Sequence, residues 1–286
     1  MGSEMCIRDR NQDGKKLASI CHTRPSGAFF GLAQLSPFTR TCDSWKELMA
    51  LPTITDRVDA LKNPDKRRQL IKEGIASGDL KDLARMLHPF GLDAAPNVDF
   101  DRQQSLQQLA DKSGKDVVEV YVERLLESEG KEFFNFWMFG GNLENQWNYM
   151  RLPQVVPMLG DAGAHVGFFT DTDSPTILLS ELTRKQGVYS LPEAIHRISG
   201  KSAEILGLKD RGLLQEGWCA DINVIDYENL SSRQPEYVND LPLDGGRFIV
   251  KSNGYDATIV AGKVVVENCK YTDARPGTVI RDFIRG

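Results

Sequence analysis

The stretch from Val155 to Gly167 constrains the fold more than any other part of this sequence. An apolar run, Val155 to Leu159, is followed by Asp161 among glycines and alanines, and a helix-start pattern comes next at Asp173-Ser174-Pro175. A strand followed by a helix predicts an α/β unit, in which ligands collect at the carboxyl end of the strand. Small residues beside Asp161 would let a ligand approach the backbone closely. The alternative is a tight turn in which Asp161 is a turn former and His165 a satisfied polar residue.

The composition excludes several classes of protein. The chain has 286 residues, a hydrophobic fraction of 41%, and 35 basic against 40 acidic side chains. This balance suits one large or two smaller globular domains and lacks the basic footprint of a nucleic-acid-binding protein. No apolar run approaches the roughly 18 residues that span a bilayer, and no secretory segment opens the chain. The five cysteines are scattered without a CxxC motif, so neither a zinc knuckle nor a disulfide framework is indicated. We therefore predict a cytoplasmic protein without nucleic-acid or membrane partners.

Helical and strand-like segments alternate in the first two thirds of the chain. Residues 45–88 have helical periodicity interrupted by Pro64 and Gly78. Capping boxes, proline starts and glycine stops mark further helices, whereas apolar or aromatic runs mark strands. The predicted strands are 17–22, which ends in a loop at Pro25 to Gly27, 132–139 and the run before Asp161, and the further predicted helices are 105–112, 116–126, 175–186 and 190–206.

The residue pattern changes near residue 211. After this point it predicts short strands joined by turns, and therefore an all-β piece. Residues 1–10 have no amphipathic period, and Met5 to Arg10 resemble translated adaptor sequence. We therefore expect residues 1–10 to be an artefact or a disordered terminus. The predicted domains are 11–210 and 211–286.

Four stretches of the sequence form a recognisable set: Arg24-Pro-Ser-Gly27 with Pro37-Phe38, Gly160-Asp-Ala-Gly-Ala-His-Val-Gly167 with Asp173-Ser-Pro-Thr176, Gly207-Leu-Lys-Asp-Arg-Gly212 with Gly217-Trp-Cys-Ala-Asp221, and Asp240-Leu-Pro242 through Ala274-Arg-Pro-Gly277. Taken together, these stretches resemble the C-terminal part of an amidohydrolase, and more narrowly an N-acyl-D-amino-acid deacylase of the D-aminoacylase-like branch.

The resemblance implies a specific α/β fold. Residues 11–210 would form the last strands of a TIM-type (β/α) barrel, and residues 211–286 a small β-sandwich-like domain. Asp161 falls where the family keeps an acid at the end of the eighth barrel strand. Gly160 stands where these enzymes usually have serine, a departure that affects a hydrogen bond beside the acid rather than the acid itself.

The resemblance also implies the chemistry. A bound zinc or other divalent metal lowers the pKa of its water to about 7 and polarises the scissile carbonyl. Asp161 would ligate the metal and act as general base and then general acid. A catalytic zinc takes about three protein ligands, whereas this sequence contains four histidines and no His-x-His. The remaining ligands are expected on earlier barrel strands, so this chain is predicted to be an inactive fragment that does not bind the metal stably.

Three further residues are candidates for substrate contact. His165 lies four residues after Asp161, Arg24 has a planar fork suited to a carboxylate, and His22 stands at a predicted strand end. A structural salt bridge is the alternative for Arg24, and an ordinary loop position for His22. His88 is predicted at a helix end or in a loop and His196 on the surface. Cys21 and His22 are adjacent, so on a strand they face opposite ways and do not form a nucleophile pair.

The resemblance thus implies a metal-dependent hydrolase whose partner is a small N-acyl amino acid, of D configuration. An amidohydrolase of the cyclic-amide or urea type is the alternative within enzymes. A non-catalytic, degenerate barrel that binds a ligand or a protein partner is the alternative outside them.

Overall fold

The computed structural model describes residues 11–13, 17–93, 96, 105–139, 143–157, 163–169 and 171–281. The predicted artefact or disordered terminus at residues 1–10 therefore lies outside the described residues, as does Asp161. Within the described ranges, no helix combines the length and the apolar character needed to cross a bilayer.

Six helices and a 3-10 turn at Pro37–Arg40 make up most of the first half of the described chain. Several of these helices begin at side-chain caps that the sequence carries: Ser105 and Asp116 form capping boxes, and Asn63 accepts two backbone N–H groups ahead of Pro64. Gly114 ends its helix in the left-handed conformation. The six helices are α1 (Asp43–Met49), α2 (Ile54–Lys62), α3 (Pro64–Ala76), α4 (Asp79–Arg85), α5 (Leu106–Ser113) and α6 (Val117–Glu127).

These helices share one apolar cluster, which we call the helical core. Its buried members all lie between Phe30 and Phe134, with Trp45 and Tyr121 among the fully buried aromatic rings. Helices α3 and α6 approach each other at Gly74, where a Cβ would lie 2.7 Å from Cγ1 of Val118. The glycine interrupts no helical hydrogen bond and allows this close approach.

Five strands precede residue 210 in the described chain, and they form two separate sheets. Strand β1 (Ser19–Cys21) pairs in parallel with β5 (Val155–Pro157). Strands β2 (Ser26–Phe30), β3 (Leu87–Pro89) and β4 (Phe134–Phe139) form an antiparallel sheet with β4 in the centre. This antiparallel pairing differs from the parallel arrangement of a TIM-type barrel, and a closed eight-stranded barrel is not present among the described residues.

Two sequence predictions were wrong in this region because the residues pair with the distant strand β4. Strand β2 begins directly after Pro25, where the sequence predicted a loop, because Ser26 and Gly27 pair with β4. His88 lies in strand β3 opposite Asn135 rather than at a helix end.

The helices that follow are broken where the sequence predicted continuity. Helix α7 (Leu143–Met150) precedes β5, and α8 (Ser174–Ile177) continues as a π-helix at Leu178–Lys185. The predicted helix after Ser190 is two helices, α9 (Leu191–Ile198) and α10 (Gly200–Leu206), because Ser199 has a non-helical backbone (φ −126°, ψ −84°). Gly187 and Gly207 both have positive φ, as predicted for stops.

Residues after 211 form short strands. Four of them make an antiparallel sheet in the order β13-β12-β11-β6, and two hairpin-like pairs, β8-β9 and β7-β10, accompany it. The strands are β6 (Ile222–Ile225), β7 (Ser231–Ser232), β8 (Glu236–Leu241), β9 (Gly245–Ile249), β10 (Ser252–Asn253), β11 (Tyr255–Val260), β12 (Lys263–Glu267) and β13 (Lys270–Tyr271). The chain as a whole is a mixed α/β protein.

Candidate active site

The parallel pair β1–β5 fixes the position of the candidate site. Ser19 is paired with Val155 and Cys21 with Pro157, so the carboxyl ends of the two strands lie side by side. The segment with His22 and Arg24 and the segment that leads to Asp161 therefore leave the sheet from the same edge. That edge is where α/β sheets carry their ligands.

Asp161, the predicted catalytic acid and metal ligand, lies outside the described residues. The structure consequently does not test its direction or its distance from the other candidates. Asp161 follows the last residue of β5, Pro157, by four positions.

His165 lies in an exposed turn whose backbone is tied to two other parts of the chain. The carbonyl of Phe168 accepts a hydrogen bond from the Phe29 N–H at 2.9 Å, and the carbonyl of Val166 accepts one from the Phe248 N–H at 2.8 Å. The imidazole ring contacts Phe169, with 5.8 Å between the ring centroids. The turn is thus anchored to β2 and β9, and the described part of the chain shows no hydrogen bond from the His165 ring to His22 or Arg24.

Arg24 is buried, with 2% of its surface exposed, and forms an ion pair with Asp173. Nε lies 3.2 Å from Oδ1 of Asp173, whose Oδ2 accepts a hydrogen bond from the Ser232 hydroxyl at 2.7 Å. The guanidinium also lies over the Phe90 ring, 5.8 Å from its centroid. Arg24 therefore makes the kind of salt bridge that the sequence left open as its alternative role, and this bridge joins the segment after β1 to the start of α8 and to β7.

His22 is half-buried, and its position is set through its backbone. Its carbonyl accepts a hydrogen bond from the side-chain amide of Gln146 on α7. The neighbouring Cys21 is buried, and this burial raises the pKa of its thiol to about 11. A thiol with so high a pKa carries little thiolate at neutral pH, which agrees with excluding Cys21 as a nucleophile.

Two side-chain arrangements near the site were not predicted from the sequence. Asn135 on β4 is fully buried although it stands in an aromatic run, and His88 stacks on Trp137 with 3.7 Å between ring centroids. A single polar residue inside a run of phenylalanines was the available signal. Arg197 on α9 is buried and donates to the carbonyls of Leu152 and Val155 at 2.8 Å; only its spacing from Glu193 was visible in the sequence.

The described residues do not form a metal centre. No group of three or more His, Cys, Asp and Glu side chains in these ranges is arranged to hold a metal ion. A catalytic zinc normally takes about three protein ligands, so the donor set that this part of the chain offers does not fit one.

Comparison with known proteins places the similarity in the second half of the chain. Residues 148–266 match the sequence model of the amidohydrolase family. The chain is 33% identical over 105 residues to an N-acyl-D-aspartate deacylase from Alcaligenes xylosoxydans xylosoxydans, which covers 37% of this chain and 19% of that protein. It is also 34% identical over 94 residues to a dihydroorotase from Endomicrobium trichonymphae, covering 32% and 21% of the two chains.

A similarity to solved structures is weaker. The N-acyl-D-glutamate deacylase from Bordetella bronchiseptica, solved with zinc and a phosphonate inhibitor, is 20% identical with a TM-score of 0.40, over 71% of this chain and 39% of that one. The matches span only about a fifth of the length of these curated relatives. The matched segment contains β5, the Asp161 stretch and the Gly217 to Asp221 turn, so residues 148–266 are similar to amidohydrolase sequence, and the resemblance to a D-aminoacylase-like amidohydrolase is confirmed.

Proposed function

We propose that this chain is part of a metal-dependent amidohydrolase that hydrolyses the amide bond of N-acyl amino acids, of the D series. The observation that carries the proposal is the 33% identity to an N-acyl-D-aspartate deacylase. The parallel pair β1–β5 supports it, since the segments with the candidate residues leave from one sheet edge. The substrate class proposed is a small N-acyl amino acid.

The proposal includes the fold that the resemblance implies. Residues 11–210 would contribute the last strands of a TIM-type barrel, and residues 211–286 a small β-sandwich-like domain. The parallel β1–β5 pair and the antiparallel strands after residue 211 support this division, whereas the antiparallel sheet β2-β4-β3 would be an addition to it. The cytoplasmic location stays a prediction.

Asp161 is the proposed general base and general acid. Its carboxylate would take a proton from the attacking water and return it to the leaving amine nitrogen. Asp161 would also ligate the metal, although the described residues do not complete a metal site. We propose that the other ligands belong to parts of the full-length protein outside these 286 residues.

His165, Arg24 and His22 are the proposed substrate contacts. The Arg24 guanidinium is a planar fork, a geometry suited to a substrate carboxylate. Its Nε lies 3.2 Å from Oδ1 of Asp173. His165 stands on a turn that backbone hydrogen bonds anchor to β2 and to β9.

A second candidate is hydrolysis of a cyclic amide. The 34% identity to a dihydroorotase favours it, at nearly the same level as the identity to the deacylase. The two candidates differ in whether the scissile amide is open or closed in a ring, so a substrate panel separates them.

The experiment compares this chain with the full-length protein on N-acetyl-D- and N-acetyl-L-amino acids and on dihydroorotate. We expect no turnover by the 286-residue chain, even with added zinc, and turnover of the D series by the full-length protein that a chelator abolishes. Asp161→Asn should remove nearly all turnover without changing the fold, and His165→Ala should mainly raise KM. Asp273→Asn, at an exposed carboxylate, is the matched control and should leave both parameters unchanged.

Each other outcome has a definite meaning. Chelator-sensitive turnover by the 286-residue chain would show that this chain holds a complete metal site, contrary to the proposal. Preference for dihydroorotate would select the second candidate. Absence of hydrolysis by the full-length protein on the whole panel would favour a non-catalytic binding protein.

A further inference from the structure

The sheet β2-β4-β3 has one face on the helical core and the other toward the candidate site. Along β4, Phe134 and Phe136 pack against the helical core, and side chains alternate between faces along a strand. Asn135 and Trp137 therefore lie on the opposite face. Trp137 packs against the apolar cluster that contains Cys21 of β1 and Val155 of β5. The second face of the sheet is thus directed at the parallel pair whose carboxyl ends carry the candidate residues.

Asn135 is the polar side chain of β4 on this second face. It is 1% exposed, and its Oδ1 has no hydrogen-bond partner among the described residues. Its cross-strand neighbours are Phe29 on β2 and His88 on β3. A buried amide oxygen without a donor costs about 1–3 kcal/mol, so such a group usually has a partner that is supplied from elsewhere.

Asn135 has aromatic neighbours on both adjacent strands. On one side, the imidazole of His88 and the indole of Trp137 are stacked with centroids 3.7 Å apart and planes 3° apart, and both residues are half-buried. On the other side, Phe29 packs edge-on against Phe90. The Phe90 ring in turn lies under the Arg24 guanidinium, 5.8 Å away. We call these rings on the two sides of Asn135 the aromatic wall, which on the Phe29 side extends to Arg24.

We propose that Asn135 is a substrate-positioning residue that accepts a hydrogen bond from the amide N–H of the bound N-acyl amino acid. The inference rests on the proposed function and identifies the residue that recognises the substrate amide N–H. The aromatic wall holds the planar amide group, and Arg24, beyond Phe90, lies on the side of the substrate carboxylate. An acceptor placed in a buried site discriminates against an analogue without the N–H, because the acceptor is then left unpaired.

The test compares an amide with an ester in which only the amide N–H is replaced by an oxygen. N-acetyl-D-alanine has the N–H, and (R)-2-acetoxypropanoate has an oxygen in its place and retains the acyl carbonyl and the carboxylate. Asn135→Leu keeps the approximate shape and removes the acceptor, whereas Asn135→Asp retains an acceptor oxygen. Thr183→Val is the matched control, because Oγ1 of Thr183 is another buried oxygen without a partner, on the π-helix.

For the full-length protein, we expect Asn135→Leu to lower kcat/KM for the amide about tenfold and to change that for the ester less than twofold. Tenfold corresponds to about 1.4 kcal/mol, the contribution of one hydrogen bond. Asn135→Asp should restore part of the lost kcat/KM for the amide, and Thr183→Val should leave kcat/KM unchanged for both compounds. Thermal unfolding of each variant separates lost folding from lost recognition.

Binding gives a readout that does not depend on hydrolysis. We expect N-acetyl-D-alanine to bind the full-length protein about tenfold more weakly after Asn135→Leu, with unchanged binding of the ester, as followed by NMR or calorimetry. This result would support the role of Asn135 even if the protein does not hydrolyse the amide. Equal losses for amide and ester, or none for either, would overturn the inference while leaving measured deacylase activity intact. Absence of both binding and hydrolysis would overturn the inference and the proposed function together.

Discussion

Replacing Arg197 should destabilise the segment that leads into the candidate site. The side chain is 8% exposed, and Nη1 donates to the carbonyls of Met150, Leu152 and Val155 at 3.1, 2.8 and 2.8 Å. These carbonyls span the turn between α7 and β5. Arg197 therefore holds the entry to β5, and Asp161 follows the last residue of that strand, Pro157, by four positions in the sequence.

The magnitude can be worked from the contacts. A hydrogen bond from a charged group contributes about 1.5–3 kcal/mol. In Arg197→Met, the Met150 carbonyl keeps the Tyr189 hydroxyl as a donor, and the Leu152 carbonyl keeps the Val155 N–H. Partial compensation of this kind brings the expected loss to about 3 kcal/mol, a large share of the 5–15 kcal/mol typical of a folded domain.

Urea unfolding of the 286-residue chain measures this loss. Arg197→Met should lower the midpoint at an unchanged m value. Arg197→Lys should recover only part, because an ammonium group lacks the planar fork. The control is Glu193→Gln, which removes the 3.0 Å ion pair of Arg197 with a half-exposed partner and should cost less than about 1 kcal/mol. A loss below 1 kcal/mol for Arg197→Met, or equal losses for the two positions, would refute the reasoning.

Three further perturbations have definite expected results. Asp173→Asn should lower the free energy of unfolding in urea by about 3 kcal/mol, because it removes a carboxylate that forms a buried ion pair with Arg24, whereas Ser232→Ala should cost about 1 kcal/mol; equal effects would contradict this. Burial raises the pKa of Cys21 from 9.0 to about 11, so the folded chain holds this proton more tightly. The resulting stability is present below pH 9 and lost as pH rises toward 11, by up to about 3 kcal/mol, and Cys21→Ala should remove that part of the alkaline loss seen in unfolding curves. Gly74→Ala should destabilise the chain in thermal unfolding despite the better helix propensity of alanine, since the new Cβ meets helix α6; stabilisation would show that the helices separate at little cost.

The helices could be predicted because their signals are local. Ser105 with Gln108 and Asp116 with Glu119 form capping boxes that the structure contains, and glycine stops at 114, 187 and 207 have positive φ. A cap involves residues three apart, so the sequence displays it directly. His196 is exposed, as its place beside an apolar helix face indicated.

The strand pairings and the break inside a helix could not be predicted in this way. Strand β2 exists because Ser26 to Phe30 meet β4, more than a hundred residues later, and β-structure depends on such neighbours. Ser199 interrupts a continuous helical pattern, and the Ser202 hydroxyl bonds the Arg197 carbonyl there. The ion pair of Arg24 was equally hidden, since Asp173, and Ser232 that donates to Asp173, are far from Arg24 in sequence.

Removal of residues 211–286 should therefore unfold the candidate site and spare the helical core. All buried members of the helical core lie between Phe30 and Phe134. The cluster around β1 and β5, in contrast, includes Leu230 and packs against Ile225 and Tyr255.

Polar contacts cross the same boundary. The Arg184 guanidinium donates to the carbonyls of Glu228 and Leu230, and Thr176 bonds the hydroxyls of Ser252 and Tyr255 at 3.0 and 3.1 Å. Truncation would expose the apolar side chains of this cluster and leave the charge of Arg184 without these partners, so local opening should become easy there.

Hydrogen exchange of the chain 1–210 tests this expectation. Amides in α3 and α6 should keep most of their protection, whereas those in β5 and in the π-helix should exchange at rates close to those of an unfolded chain. The Arg184→Met variant of the whole chain should show the same pattern in weaker form, and Lys185→Met, at a neighbouring and more exposed cation, should not. Retained protection of β5 in the truncated chain would mean that the strands after residue 211 are an independent addition. Loss of protection in β5 and the π-helix, with protection kept in α3 and α6, would mean that the strands after residue 211 are a structural part of the site. They would then close the apolar cluster on which β1 and β5 rest.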